Sequence, residues 1–168
     1  MASTLGLHQH RSNRSKTEGK PLPAGVKTLP ELFRAAGYFT YNHGKDDFNF
    51  RYDHAKLYSD GHKPKSYGFY GVHGYGDWTE RKAGQPFFGQ FMLLAGKHKG
   101  KIADPLDPAK VTVPPYYPDH PVYRAQIARH YDQIRMTDTE VGKIIARLKA
   151  DGLYDNTIIV FLSDHGGP

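Results

Sequence analysis

The chain has 168 residues, with 23 Lys and Arg against 17 Asp and Glu, and no cysteine. The length suits one domain at roughly 100–200 residues each, and the missing thiol excludes a disulfide framework, a zinc ribbon and a cysteine nucleophile. Mean hydropathy is −0.66, and no stretch approaches the ~18 apolar residues of a spanning helix, so no membrane partner is expected. The net charge of +6 favours anionic partners such as nucleic acid, sulfated glycans or phosphoesters, without choosing among them.

Residues 1–27 are polar and basic and read as a loop. They lack the apolar core of a signal peptide. Their His8-Gln9-His10 could ligate a metal by residue type, but two His one residue apart read more simply as part of that loop. Order begins at Thr28, which stands three residues before Glu31 with capping-box spacing. Leu29, Leu32, Phe33 and Ala36 share one face of the predicted helix, and Gly37 suits its C′ position. Tyr38 to Asn42 is rich in β-formers and reads as a strand ending in His43-Gly44-Lys45.

Residues 46–85 read as a long excursion between two core strands. Within it, Ser66 to Gly76 alternates glycine with aromatics, a pattern that could stack on nucleic-acid bases but fits a surface loop better. Phe87 to Leu94 is a continuous apolar run opened by Pro86, as expected of a buried strand in a parallel sheet covered on both faces. It ends in Ala95-Gly96-Lys97-His98. Residues 99–121 carry six prolines and read as an extended loop.

The clearest helix starts near Pro121. Ile127, Tyr131, Ile134, Asp138, Val141, Ile145 and Leu148 recur with spacings of 4, 3, 4, 3, 4 and 3, one stripe of a helix that Gly152 ends. Asp138 is the odd member and reads as a satisfied, half-buried hydrogen-bond acceptor. A short turn, Leu153 to Asn156, leads into Thr157 to Leu162, a third predicted strand ending in Ser163-Asp164-His165-Gly166. The order is helix, strand, excursion, strand, helix, strand. This alternation predicts an α/β fold with a mainly parallel sheet flanked by helices.

Each predicted strand ends in polar groups: Lys45, then Lys97 and His98, then Asp164 and His165. Ligands in open α/β sheets bind outside the carboxyl ends of the strands, so a parallel sheet would gather these groups on one edge. A carboxylate and an imidazole suit several divalent metals. A lysine offers a compact charge for an anion, and His98 could protonate a leaving group. A cation, a lysine and a histidine around one oxyanion describe ester hydrolysis at phosphorus or sulfur. No Walker A pattern, dinucleotide fingerprint or serine elbow is present.

These residues also carry a family resemblance. Ser3 to Arg11 resembles the stretch just after a sulfatase nucleophile motif. Val26 to Leu32, Ala36 to Tyr38 and Gly44-Lys45 resemble the family's helix, strand and Gly-Lys signature. Phe87 to His98 resembles the strand leading to a substrate-contacting histidine. Arg129-His130-Tyr131, Asp138, Val141-Gly142, Gly152-Leu153, Asp155-Asn156-Thr157 and Ser163-Asp164-His165-Gly166 resemble its most recognisable block. The whole is similar to the middle of a sulfatase, in the alkaline-phosphatase-like superfamily. The variant Gly44-Lys45-Asp46-Asp47-Phe48-Asn49-Phe50 resembles a bacterial branch labelled heparan-type or arylsulfatase-like.

The resemblance implies roles. Lys45 would contact the sulfate. His98 would sit beside the ester and help the leaving group. Asp47 stands where many relatives have histidine and would contact substrate. Asp164 and His165 would bind a divalent cation, usually calcium. The expected substrate is a sulfated small molecule or polysaccharide, met in the periplasm or outside the cell. The family nucleophile is a formylglycine made within Cys/Ser-x-Pro-x-Arg, and no Ser of this chain lies in that motif. The paired N-terminal aspartates of the metal site and the later family lysine are also absent. The expectation is therefore a partial catalytic domain over 1–168, inactive and poorly stable alone. Two alternatives are a phosphoester or phosphonate metallohydrolase of the same superfamily, and an inactive basic module binding glycan or nucleic acid.

Overall fold

A computed structural model describes residues 21–44, 48, 50–60, 65–66, 73–74, 76–97 and 100–163. The chain divides into two compact units, residues 1–92 and 93–168.

The first unit is built on a four-stranded sheet. Helix α1 (Leu29–Ala35) precedes strand β1 (Phe39–His43); a single-turn helix α2 (His54–Leu57) follows, then short strands β2 (Lys65–Ser66) and β3 (His73–Gly74), then β4 (Phe87–Phe91). The order across the sheet is β2-β3-β1-β4. The longest pairing is parallel, β1 with β4, in the register Phe39 to Phe87 through His43 to Phe91. The two pairings of β3 are antiparallel. The α/β class with a parallel strand pair thus holds.

The start of α1 follows its sequence. Thr28 caps it, with its N–H donating to Glu31 Oε2 at 2.8 Å and the Glu31 N–H returning to Thr28 Oγ1 at 3.4 Å. Gly37 lies at φ +89°, the left-handed turn that ends such a helix. The buried face differs from the predicted one. Pro30 is buried and Phe33 stacks on Phe88 at 4.5 Å, while Leu29 and Leu32 are exposed.

Side chains alternate across the β1–β4 pair. Tyr41 packs on one side with Trp78, Phe87 and Phe91, at ring separations of 6.2, 6.4 and 5.8 Å. Thr40 faces the other side, where its hydroxyl donates to the Leu57 carbonyl at 2.9 Å. Tyr58 is buried there, and its hydroxyl donates to Gln90 at 2.8 Å. Both faces of β1 are therefore covered. β4 is only half-buried along its length, short of the buried strand its apolar run predicted, since no strand among the described residues pairs with its outer edge.

The second unit centres on α3 (Pro121–Ala150), which ends at Asp151 with Gly152 at φ +66°. Its limits match the predicted helix, but its buried face matches only in part: Leu148 of the predicted stripe is buried and Ile127, Val141 and Ile145 are half-buried. Ala128, Asp132, Glu140 and Leu148 are buried, whereas Tyr131, Ile134 and Asp138 of the predicted stripe are exposed. The cause lies in the proline-rich loop. Its backbone polar groups need partners, and α3 supplies them. Asp132 accepts from the Leu106 N–H at 3.0 Å, Arg135 donates to the Asp104 carbonyl at 3.1 Å, and Arg124 donates to the Val111 carbonyl at 2.9 Å. Asp138, expected half-buried, is exposed because this loop lies along a different face.

The third predicted strand does not form. Residues 157–163 pair with no strand among the described residues, and Ile158, Val160, Phe161 and Leu162 are largely exposed. β-propensity marks a chain that fits a pleated surface but supplies no partner strand.

Candidate functional site

The carboxyl ends of β1 and β4 lie side by side, because the two strands are parallel and in register. The Met92 N–H donates to the His43 carbonyl at 2.8 Å, extending the ladder one step beyond β4. At Gly44 the backbone turns at φ +112°, and a Cβ there would stand 2.9 Å from Met92 Cβ and 3.0 Å from its carbonyl oxygen. Only glycine suits both the torsion and the approach. The chain entering Lys45 is thus set against the end of the neighbouring parallel strand.

Buried polar groups brace this edge. The His43 side chain is fully buried, its Nε2–H donating to the Gly76 carbonyl at 2.6 Å and its ring edge-on to Phe91 at 4.7 Å. Asp60, also buried, accepts from the Asn42 N–H at 3.2 Å and from His54 Nε2 at 2.8 Å. One carboxylate therefore joins β1 to the segment that follows α2.

In the second unit, the helical turn Ala95–Lys97 packs against α3. Ala95 is fully buried, and a Cβ on Gly96 would meet Thr137 Oγ1 at 3.8 Å. Lys97, the residue before His98, is exposed at the end of that turn.

The site residues expected from the sequence, Lys45, Asp47, His98, Asp164 and His165, all lie outside the described residues. Most of the Gly/aromatic run and residues 1–20 of the basic loop also do. Among the described residues, no group of three or more His, Cys, Asp or Glu could hold a metal ion. No helix of the described residues is long and apolar enough to cross a membrane.

One feature escaped the sequence reading. A hollow of about 640 Å³ opens beside α2, lined by Leu22, Val26, Phe50, Tyr52 and Leu57, with Arg51, His54 and Lys56 among its polar groups. Its signal was present as the aromatic alternation Phe48-x-Phe50-x-Tyr52.

The profile of the Sulfatase family matches residues 1–168. The chain belongs to the sulfatase family. This sulfatase chain is 26% identical over 217 residues to an ulvan-active sulfatase of Formosa agariphila, covering 99% of the chain and 34% of that relative. It is 33% identical over 91 residues to the N-sulphoglucosamine sulphohydrolase of Homo sapiens, covering 50% of the chain and 18% of that protein. The chain thus spans about a third of the first relative's length and less of the second's. No solved structure gives a significant match.

Proposed function

We propose that this chain carries the sulfate-contacting part of a sulfuric ester hydrolase acting on sulfated glycans. The observation that carries the reading is the parallel β1–β4 edge. There Gly44, locked against Met92, delivers the chain into the Gly-Lys signature of a sulfatase. The names of both relatives, an ulvan-active sulfatase and an N-sulphoglucosamine sulphohydrolase, support a sulfated saccharide as substrate. The net charge of +6 favours such a polyanion. Export belongs to the same reading, since polysaccharides of this kind are met outside the cytoplasm.

In this reading the Lys45 ammonium neutralises charge on the sulfate, and Asp47 positions the sugar by hydrogen bonding. His98 holds a proton for the departing ester oxygen. Asp164 and His165 provide a carboxylate oxygen and an imidazole nitrogen, a donor set suited to a divalent cation, with calcium the proposed ion. The cation would supply positive charge beside the sulfate. Covalent catalysis would require a formylglycine from a Cys/Ser-x-Pro-x-Arg motif, which residues 1–168 do not contain. Residues 1–168 by themselves are then expected to bind sulfate esters without turning them over.

The test is release of inorganic sulfate from 4-nitrophenyl sulfate and from a sulfated polysaccharide by the protein that carries this chain. Replacing His98 with Ala should lower kcat by roughly 10²–10⁴-fold. Chelation should lower the rate and added calcium restore it. Hydrolysis of phosphate monoesters with no sulfate release would overturn the reading.

A further inference from the structure

We infer that the hollow beside α2 is a binding subsite for a sulfated sugar unit. The assignment takes its ligand class from the sulfated-glycan reading above, but its residues come from the hollow alone.

The lining is aromatic and aliphatic. Phe48, Phe50 and Tyr52 form one ring cluster, with centroids 5.4 Å apart for Phe48 and Phe50, 5.0 Å for Phe48 and Tyr52, and 5.9 Å for Phe50 and Tyr52. Phe50 and Tyr52 from this cluster line the hollow and remain half-exposed. A half-exposed aromatic face suits the C–H face of a pyranose, which has an apolar side and a polar rim. The ring cluster also holds the platform in place before any ligand arrives, which lowers the entropy cost of binding.

The charges are unevenly committed. Both carboxylates that line the hollow serve as helix caps. Glu31 accepts from the Thr28 N–H at 2.8 Å and its hydroxyl at 2.9 Å, and Asp53 accepts from the Ala55 N–H at 3.1 Å. His54 donates to the buried Asp60. Arg51 and Lys56 are exposed in the same lining and form no ion pair among the described residues. An aromatic floor with two cations that form no ion pair among the described residues matches a sugar ring bearing a sulfate. Arg51 can bind the sulfate oxygens bidentately, and Lys56 adds a point charge.

The experiment measures the affinity of the protein carrying this chain for a sulfated oligosaccharide, with its chemically desulfated counterpart as comparison. Arg51→Gln and Lys56→Gln alter exposed side chains and should each weaken binding by about tenfold, in line with charged hydrogen bonds. Phe50→Leu keeps the apolar volume, removes the stacking face and should weaken the sulfated and desulfated sugars alike. Lys82→Gln, an exposed cation outside the hollow, should leave affinity unchanged. Equal losses from Lys82→Gln and Arg51→Gln would mean unspecific polyanion attraction and overturn the subsite, as would unchanged affinity in all the hollow variants. Sulfate release is scored separately. Release with unaltered affinities removes the subsite and keeps the hydrolase. The expected affinity losses without release keep the subsite and remove the hydrolase.

Discussion

The phenol ring of Tyr41 lies across Gly89, its register partner on the parallel β1–β4 pair. A Cβ at Gly89 would fall inside the ring's van der Waals envelope. Glycine in a strand interior loses side-chain packing, and here that loss makes room for a buried aromatic. Gly89→Ala should therefore destabilise the first unit by about 1–3 kcal/mol through overpacking. Urea denaturation of Gly89→Ala, Tyr41→Ala and the double variant checks this. The two changes should be strongly non-additive, since the second relieves the clash made by the first.

The Thr28–Glu31 box holds the start of α1, a helix of only seven residues. Short helices gain little from propagation, so the cap weighs heavily. Thr28→Ala should cost about 1 kcal/mol, with Thr28→Ser nearly neutral. Glu31 also lines the hollow beside α2, so a substitution there would mix two effects. A chemical melt of the Thr28 variants isolates the cap.

Asp132 is 2% exposed and holds two partners, the Leu106 N–H and Arg135 Nη1 at 2.9 Å. Asp132→Ala would leave the Leu106 N–H without its acceptor and remove the nearer of the two carboxylates that pair with Arg135, Asp104 being the other. The expected loss is about 2–3 kcal/mol. Amide exchange over residues 100–107 should quicken more than exchange in the middle of α3. Equal protection in variant and parent would show that the proline-rich loop is held by other contacts.

Asp119 and Arg124 form an exposed pair at 2.5 Å near the start of α3. The hydrogen bond from Arg124 holds the Asp119 carboxyl below its ordinary value, outweighing desolvation, and their mutual attraction adds to it. The same contact raises Arg124. A depressed carboxylate contributes stability above its unfolded pKa and loses it as pH falls through the folded value. The contribution is small because both groups are solvated. A carbon-detected titration should place the Asp119 midpoint below the usual carboxylate range. Arg124→Gln should return it there.

Ile158 is 93% exposed and Leu162 79%, within an apolar run that pairs with no strand among the described residues. Unpaired β-prone segments template association between chains. Ile158→Lys and Val160→Lys should reduce light scattering by concentrated protein without lowering the cooperative melting temperature. A fall in melting temperature would mean that the run is buried in solution.

Local chemistry was enough to locate several elements. Thr28, Glu31 and Gly37 mark both ends of α1, and Pro121 and Gly152 mark those of α3, because caps and breakers act within a turn of the residues that carry them. The β-formers of Tyr38–Asn42 and the apolar run from Phe87 announced two strands, although β1 is the buried one and β4 is only half-buried. The candidate residues Lys45, His98, Asp164 and His165 were legible as polar groups after apolar runs, together with the sulfatase resemblance. Tertiary structure decided what periodicity could not. The apolar stripe through Tyr131 and Ile134 was the obvious buried face of α3, yet Asp132 and Ala128 are buried instead, because the loop's backbone needed acceptors and donors from that side. Thr157–Leu162 has the composition of a strand and lacks a partner among the described residues. Hydrogen bonding between strands is a property of two segments, and one segment's sequence cannot supply it. The hollow with Phe50, Tyr52, Arg51, Lys56 and Leu57 likewise became visible only once Leu22 and Val26, distant in sequence, closed around it.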